Sequence, residues 1–511
     1  MSREANLRQG SSPEDSELIR RRNAVLSDSY RLFYEHPVEL VRGQGARLYD
    51  TAGREYIDMY NNVPSIGHSH PLVTEYVSRQ LSALNTHTRY VTPAVVDYSE
   101  ALLAEFPPAL DRVTYACTGS EAVDLAVRMA RYYTGNRGII VTSHAYHGTT
   151  TASAELSPSL GDGNALSPFV ELVELPNPAV SAASPAEASA AFAAAVESAA
   201  VRLQEMGAGL AAVLIDSIMS SDGVRPDPLG LLPAAAAVAH RYGGLYIADE
   251  VQPGFGRTGT MWGFARHPAE VGSDDTAGAA DTAGTVGTGA AATSAGGGAG
   301  AESFVPDIVV LGKPMGNGMP ISAVVHRREV GRKFGQNVRY FNTFGGNPVS
   351  IAAARAVLEV IRSEDLPAHA LRLGDRLADD LGRLTADRTL NMSAAAERGG
   401  ASGAQSPTAG ATSGAADGAV PSAAGAAAGA DPRFAPVRHA GLFLGLDVLD
   451  ESGAPDPASA NRLVNELREA GVLISASGQA GNTLKVRPPL AITEPDVDRF
   501  LDIFATLLPR P

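Results

Sequence analysis

The chain has almost none of what would mark several protein classes. Its 511 residues include one cysteine, Cys117. That excludes an intramolecular disulfide framework and a zinc site built on cysteines. Aromatic residues make up 6%, with a single tryptophan, and no apolar run approaches the length of a membrane-spanning helix. Basic residues are in the minority, 41 Lys and Arg against 56 Asp and Glu, a formal net charge of −15. Nucleic acid and anionic membrane both select for clustered Lys and Arg, so neither is expected as a partner. The opening "MSREANLRQGSSPEDSELIRRRN" lacks an apolar core and carries acidic residues, so no signal or transit peptide is expected and a cytoplasmic location is.

What is present fits a soluble globular protein, with 44% hydrophobic and 19% charged residues. The length suggests about two to four domains. Residues 271–302 and 393–431 are Gly, Ala, Ser and Thr tracts without large apolar side chains to anchor them. They are expected to be flexible insertions. The Ala-rich run 182–200 carries Phe192 and Val196 and reads as helix. Elsewhere short apolar runs, "RVTYAC", "GIIVT", "AAVLID", "GLYIAD" and "DIVVLG", mostly alternate with amphipathic stretches such as "SEAVDLAVRMARYY". That alternation predicts an α/β domain on a largely parallel sheet. The part from "NPVSIAAARAVLEVIRS" onward, with short strands at "LFLGLDV" and "LKVR", predicts a smaller α+β domain.

In parallel sheets, sites gather at the C-terminal strand ends. Gly119 and Ser120 stand where a strand turns into a helix, which suits either an anion or an ordinary N-cap with Glu121. In "SHAYHG", Tyr146 offers a flat face. His144 and His147, like His68 and His70 in "IGHSHP", lack the Cys or carboxylate spacing of a metal site, and no metal is expected. Asp249 ends an apolar strand, where a carboxylate needs a cation or strong donors. Gln252, Gly254 and Gly256 follow in a turn that could approach a ligand closely. Lys313, in "VVLGKPMGNGMPISAV", follows another apolar strand. A phosphate loop is excluded there, because Gly-Lys is followed by Pro instead of Ser or Thr. Either Lys313 is a surface lysine, or apolar surroundings depress its pKa and leave a nucleophilic amine able to form a Schiff base. A lysine for an aldehyde, a carboxylate for a ring nitrogen, an aromatic face and a helix start for a phosphate together meet the needs of pyridoxal 5'-phosphate.

The segments "IADEVQPGFGRTG", "PDIVVLGKPMGNGMPISAV" and "YFNTFGGNPVS" resemble the class III aminotransferases, pyridoxal phosphate enzymes of fold type I. The resemblance covers nearly everything outside the two tracts. It implies a mostly parallel seven-stranded sheet in a large cofactor domain at 66–344. A small α+β domain would be built from 1–65 and 345–511. It further implies that Lys313 carries the Schiff base, Asp249 pairs with the ring nitrogen and Gln252 bonds the ring hydroxyl. Tyr146 would stack on the ring, and Gly119 and Ser120 would hold the phosphate. Thr343 would reach the cofactor phosphate of a neighbouring subunit in a homodimer.

Within the class, "MYNNVPSIGHSHP", "LNTHTRY" and "LKVRPPL" are most similar to the branch containing phosphoethanolamine and phosphohydroxylysine phospho-lyases. Two departures bear on the substrate. Asp216 and Ser217 replace the usual Glu-Pro, and Lys485 replaces the usual carboxylate-binding arginine, with Arg487 two residues on. A guanidinium grips a carboxylate through two parallel bonds, whereas an ammonium is a point charge that suits phosphate as well. Lys485 and Arg487 could also merely decorate an edge strand. The expected activity is transamination between an amine or amino acid and a carbonyl acceptor. A phospho-lyase acting on a phosphorylated amino alcohol is the alternative, and a non-catalytic relative is disfavoured by Lys313 and Asp249 occurring together.

Overall fold

The computed structural model describes residues 13–176, 184–268, 303–386 and 432–508. The tracts 271–302 and 393–431, expected to be flexible, lie outside the described residues. At the centre is a seven-stranded sheet whose strands run, in spatial order, Arg112–Ala116, Ser322–His326, Ile308–Leu311, Leu245–Asp249, Leu210–Asp216, Gly138–Thr142 and Val170–Val173. Ser322–His326 pairs antiparallel with both neighbours, and the pairings from Ile308–Leu311 outward are parallel. The central strands are buried along their whole length. Helices cover both faces, so these strands read as continuous apolar runs instead of alternating ones.

The helices are fixed at their starts by local chemistry. Gly119–Thr134 begins with a capping box: Thr118 Oγ1 accepts from Glu121 N at 3.2 Å, and Glu121 Oε2 accepts from Thr118 N at 3.0 Å. Two of the four N–H groups that a helix start leaves without partners are thereby satisfied. The Ala-rich run folds as the helix Pro185–Glu205, its Ser184 and Glu187 forming a second capping box. Ala188, Phe192, Val196, Ala199 and Leu203 form its buried stripe.

The chain ends come together outside the main sheet. Val472–Leu473 adds in parallel to Glu55–Asp58, with Val472 opposite Ile57, and Tyr34 Oη donates to Ile474 O at 3.0 Å. A further sheet from the C-terminal part contains Leu444–Leu449, Thr483–Val486 and Ser475–Ser477. Thr483–Val486 is flanked on both sides, so Lys485 sits on an internal strand and not on an edge. Lys485 and Arg487 are both buried. Among the described residues no helix is long and apolar enough to cross a membrane.

Candidate active site

The strand ends named from the sequence converge. Gly119, Ser120, Tyr146, Asp216, Asp249, Gln252 and Lys313 all line one cavity of about 310 Å³ at the C-terminal edge of the parallel strands. Thr343 lies on an exposed loop and is not in the cavity wall, although its neighbour Asn342 bonds Glu121 at 3.2 Å. Lys485 and Arg487 are not in its wall, but Nη1 of Arg487 donates to Oε1 of Gln252, which is.

Lys313 opens a short turn, Lys313–Gly316, directly after the strand Ile308–Leu311. Three contacts tie that turn to the segment 65–67. Ser65 Oγ donates to Pro314 O at 3.2 Å, Asn317 Oδ1 accepts from Ile66 N at 3.1 Å, and Asn317 Nδ2 donates to Gly67 O at 2.9 Å. The lysine therefore leaves a rigid base. Burial holds its ammonium below its ordinary pKa, and the Arg487 charge adds to that, against the opposing pull of Asp249 and Asp216. A larger share of neutral, nucleophilic amine follows.

Asp249, the last residue of its strand, accepts from Val251 N at 3.0 Å through Oδ1 and meets His147 Nδ1 at 2.7 Å through Oδ2. No spacing in the chain assigns this partner to His147, which stands 102 positions away. His147 Nε2 is buried and has no partner among the described residues. His68 is likewise bonded to a carboxylate, Nε2 to Asp58 Oδ2 at 2.7 Å. Among the described residues no group of three or more His, Cys, Asp and Glu could hold a metal ion.

The floor beside Ser120 is shaped by glycine. Gly148 has φ +141°, and a Cβ there would lie 2.5 Å from Ser120 Oγ and 2.6 Å from Ser153 Oγ. A Cβ on Gly119 would press on Val251 at 3.2 Å. Ser120 Oγ accepts from Thr149 N at 3.0 Å, which fixes the hydroxyl at the helix start. The helix N-terminus, the glycine cradle, the half-buried Tyr146 ring, the buried carboxylate and the lysine make a donor set and shape that fit pyridoxal 5'-phosphate.

A second polar cluster adjoins the cavity. Asp216 is buried, and burial followed by the Asp249 charge raises its pKa. Lys485 Nζ lies 5.6 Å from the Phe443 ring centre, and no hydrogen-bond acceptor or carboxylate partner is found for it among the described residues. Burial, reinforced by Arg487, drives its pKa well below the ordinary value, with Asp216 pulling the other way. The Arg487 guanidinium sits over Tyr60 and Phe443, at 4.7 and 5.8 Å, and donates through Nε to Tyr60 O at 2.9 Å.

The sequence profile described as Aminotransferase class-III matches residues 33–279 and 282–401. Two curated relatives are each 30% identical over 500 residues. "Alanine--glyoxylate aminotransferase 2-like" of Drosophila melanogaster aligns with 95% of this chain and 85% of its own length. "Ethanolamine-phosphate phospho-lyase homolog 1" of Caenorhabditis elegans aligns with 94% and 91%. Among solved structures, a phospholyase from Arthrobacter in complex with phosphoethanolamine is 35% identical, with a TM-score of 0.77 over 96% of this chain and 100% of that one.

Proposed function

Because this chain belongs to the class III aminotransferases, fold-type I enzymes that use pyridoxal 5'-phosphate, we propose that it eliminates phosphate and ammonia from a small phosphorylated amino alcohol. The observation that carries this reading is the pair Lys485 and Arg487. Both are buried beside the cavity, and Lys485 has no carboxylate partner among the described residues. Buried cations without an ion pair are costly, and a phosphate dianion is the ligand that offsets two of them. It would also reverse the depressed pKa of Lys485. The similarity to a phospholyase solved with phosphoethanolamine points the same way.

When bound, the cofactor supplies an aldehyde that condenses with amines and a ring that withdraws electrons. In this proposal Lys313 would hold the aldehyde and would take the proton from the carbon that bears the substrate nitrogen. Asp249, braced by His147, would keep a proton on the ring nitrogen. Gln252 would bond the ring hydroxyl, Tyr146 would cover the ring face, and Gly119 and Ser120, all lining the cavity, would hold the cofactor phosphate. Lys485 and Arg487 bind the substrate phosphate and stabilise its charge as the carbon–oxygen bond breaks. The amine and one water enter; an aldehyde, ammonia and inorganic phosphate leave.

The proposal includes a cytoplasmic homodimer with Thr343 reaching the neighbouring site. Around that loop Tyr90, Phe341 and Phe344 are exposed, and His87 links Tyr90 to Phe341 by ring contacts of 5.0 and 5.5 Å. An apolar patch of this kind suits a subunit interface.

Transamination is the second reading, favoured by the alanine–glyoxylate aminotransferase-like relative at 30% identity. Incubation with phosphoethanolamine separates the two. Stoichiometric phosphate and ammonia without any keto acid support elimination. Turnover that strictly requires a keto acceptor and releases no phosphate overturns it.

A further inference from the structure

The side chain of Gln252 is held at both ends by protein. Its Nε2 donates to Ser220 Oγ at 2.5 Å, and its Oε1 accepts from Nη1 of Arg487. Ser220 Oγ in turn donates to Asp216 Oδ2 at 2.5 Å. The Asp216 carboxylate also accepts from Ile218 N and Ser220 N, each at 3.1 Å. All four side chains are buried.

The direction of each bond dictates the next. Ser220 Oγ donates to Asp216 Oδ2, so its single proton is committed there. The lone pairs of Ser220 are then left for a donor, and the donating end of the Gln252 amide is Nε2. Oε1 is thereby turned to Arg487, which can only donate. With the amide reversed, an NH2 group would face a guanidinium, donor against donor.

The loop that presents Ser220 is strained and pinned from two sides. Met219, Gly223 and Val224 have φ of 47°, 104° and 59°. For a β-branched residue such as Val224 that conformation is unfavourable and persists only when its surroundings impose it. Arg438 imposes it from the C-terminal sheet. It donates to Gly223 O at 2.8 Å and Val224 O at 3.0 Å while bridging Asp447 at 2.7 and 2.9 Å. From the main sheet, Thr142 Oγ1 and His144 N donate to Asp222 at 2.9 and 3.1 Å.

We propose that Ser220 is a positioning residue that fixes the amide of Gln252, and through it aims Arg487 at the anionic group of the substrate. This rests on the reading of Lys485 and Arg487 as a phosphate pocket, and it adds a specificity determinant outside the groups that touch substrate.

The test uses the full-length holoenzyme and its Ser220→Ala, Ser220→Thr, Gln252→Ala and doubly substituted Ser220→Ala/Gln252→Ala forms. The first readout is the dissociation constant for inorganic phosphate by calorimetry. Ser220→Ala is expected to weaken it about tenfold, the scale of one hydrogen bond to a charged network. Ser220→Thr, which keeps the hydroxyl, restores it. Adding Ser220→Ala to Gln252→Ala costs nothing more, because the relay is already cut. Multiplying effects in the double variant, or an unrescued Thr variant, overturn the proposal. If the wild type binds no phosphate, the phosphate-pocket reading falls by itself. The relay is then judged by the pH midpoint of the bound cofactor's visible absorption, which reports the Gln252 amide. A midpoint that moves in Ser220→Ala and returns in Ser220→Thr supports the relay, and one that stays put overturns it.

Discussion

Nδ1 of His147 lies 2.7 Å from Oδ2 of Asp249, with both side chains out of water. The carboxylate's other oxygen is taken by Val251 N, so the two residues form a closed pair whose free face is the cavity. Replacing His147 with Ala would leave one carboxylate oxygen buried without a donor. Such an orphan costs about 1–3 kcal/mol. The melting temperature of the His147→Ala holoenzyme should fall, with faster loss of cofactor absorbance on dilution. His147→Asn keeps a donor and should recover part of both. If alanine behaves like wild type in both measurements, the pair does not support the cofactor.

Lys313 is the group whose loss should be most severe. Burial and Arg487 hold its amine below its usual pKa, which suits a residue that is both nucleophile and base. Positioned proton transfer contributes roughly 10²–10⁴-fold in rate. Lys313→Ala should therefore retain less than about a thousandth of wild-type phosphate and ammonia release while melting cooperatively. Borohydride treatment of wild type, followed by peptide mass analysis, should find the pyridoxyl group on the peptide containing Lys313. An adduct elsewhere would remove the basis of the proposed chemistry.

The chemistry of Lys485 separates substrate classes. A point charge without a fixed plane serves phosphate, whereas arginine matches a planar carboxylate. Lys485→Ala should lower kcat/KM for phosphoethanolamine by roughly ten- to a hundredfold, the range for hydrogen bonds to charged groups. Lys485→Arg should keep phosphate release within about tenfold and improve turnover of an ω-amino carboxylate. Equal losses on both substrates in both variants would mean that Lys485 only packs against Phe443.

Much of this architecture could be read from the chain because the parallel strands are buried on both faces. "AAVLID" and "DIVVLG" carry their burial as unbroken apolar runs, and the structure makes strands of both. Ser322–His326 was harder. It continues directly from the lysine segment, and only its pairing with Arg112–Ala116 and Ile308–Leu311 makes it a strand. The N-terminal strands gave little signal for a different reason: Leu40–Gln44 is exposed or half-exposed along its length and forms through pairing with Arg47–Asp50. At the site, Lys313, Asp249 and Gly119 follow from strand ends, which are local features. His147 on Asp249 and Arg487 on Gln252 are 102 and 235 positions apart in sequence, and no spacing encodes such pairs. Ser220 is four residues from Asp216, but its role depends on Gln252 arriving from another strand end.

Asp222 offers a pH test that does not involve turnover. Its carboxyl is raised from 3.8 to about 6, chiefly by burial, although Thr142 Oγ1 and His144 N both donate to it. A carboxyl whose folded pKa lies above its unfolded value binds its proton more tightly in the folded state. Its contribution to stability is therefore complete below the unfolded value near 3.8. It declines as pH rises and is lost above about 6. Asp222→Asn is neutral at every pH and escapes that loss. The melting temperature of Asp222→Asn minus that of wild type should consequently be more positive at pH 8 than at pH 5, whatever its absolute sign. Differential scanning calorimetry of the two holoenzymes at matched ionic strength measures this directly. A flat difference would mean that the fold prefers neither form of Asp222, and one larger at pH 5 that it prefers the charged form because its two donors outweigh its burial; either result overturns the prediction.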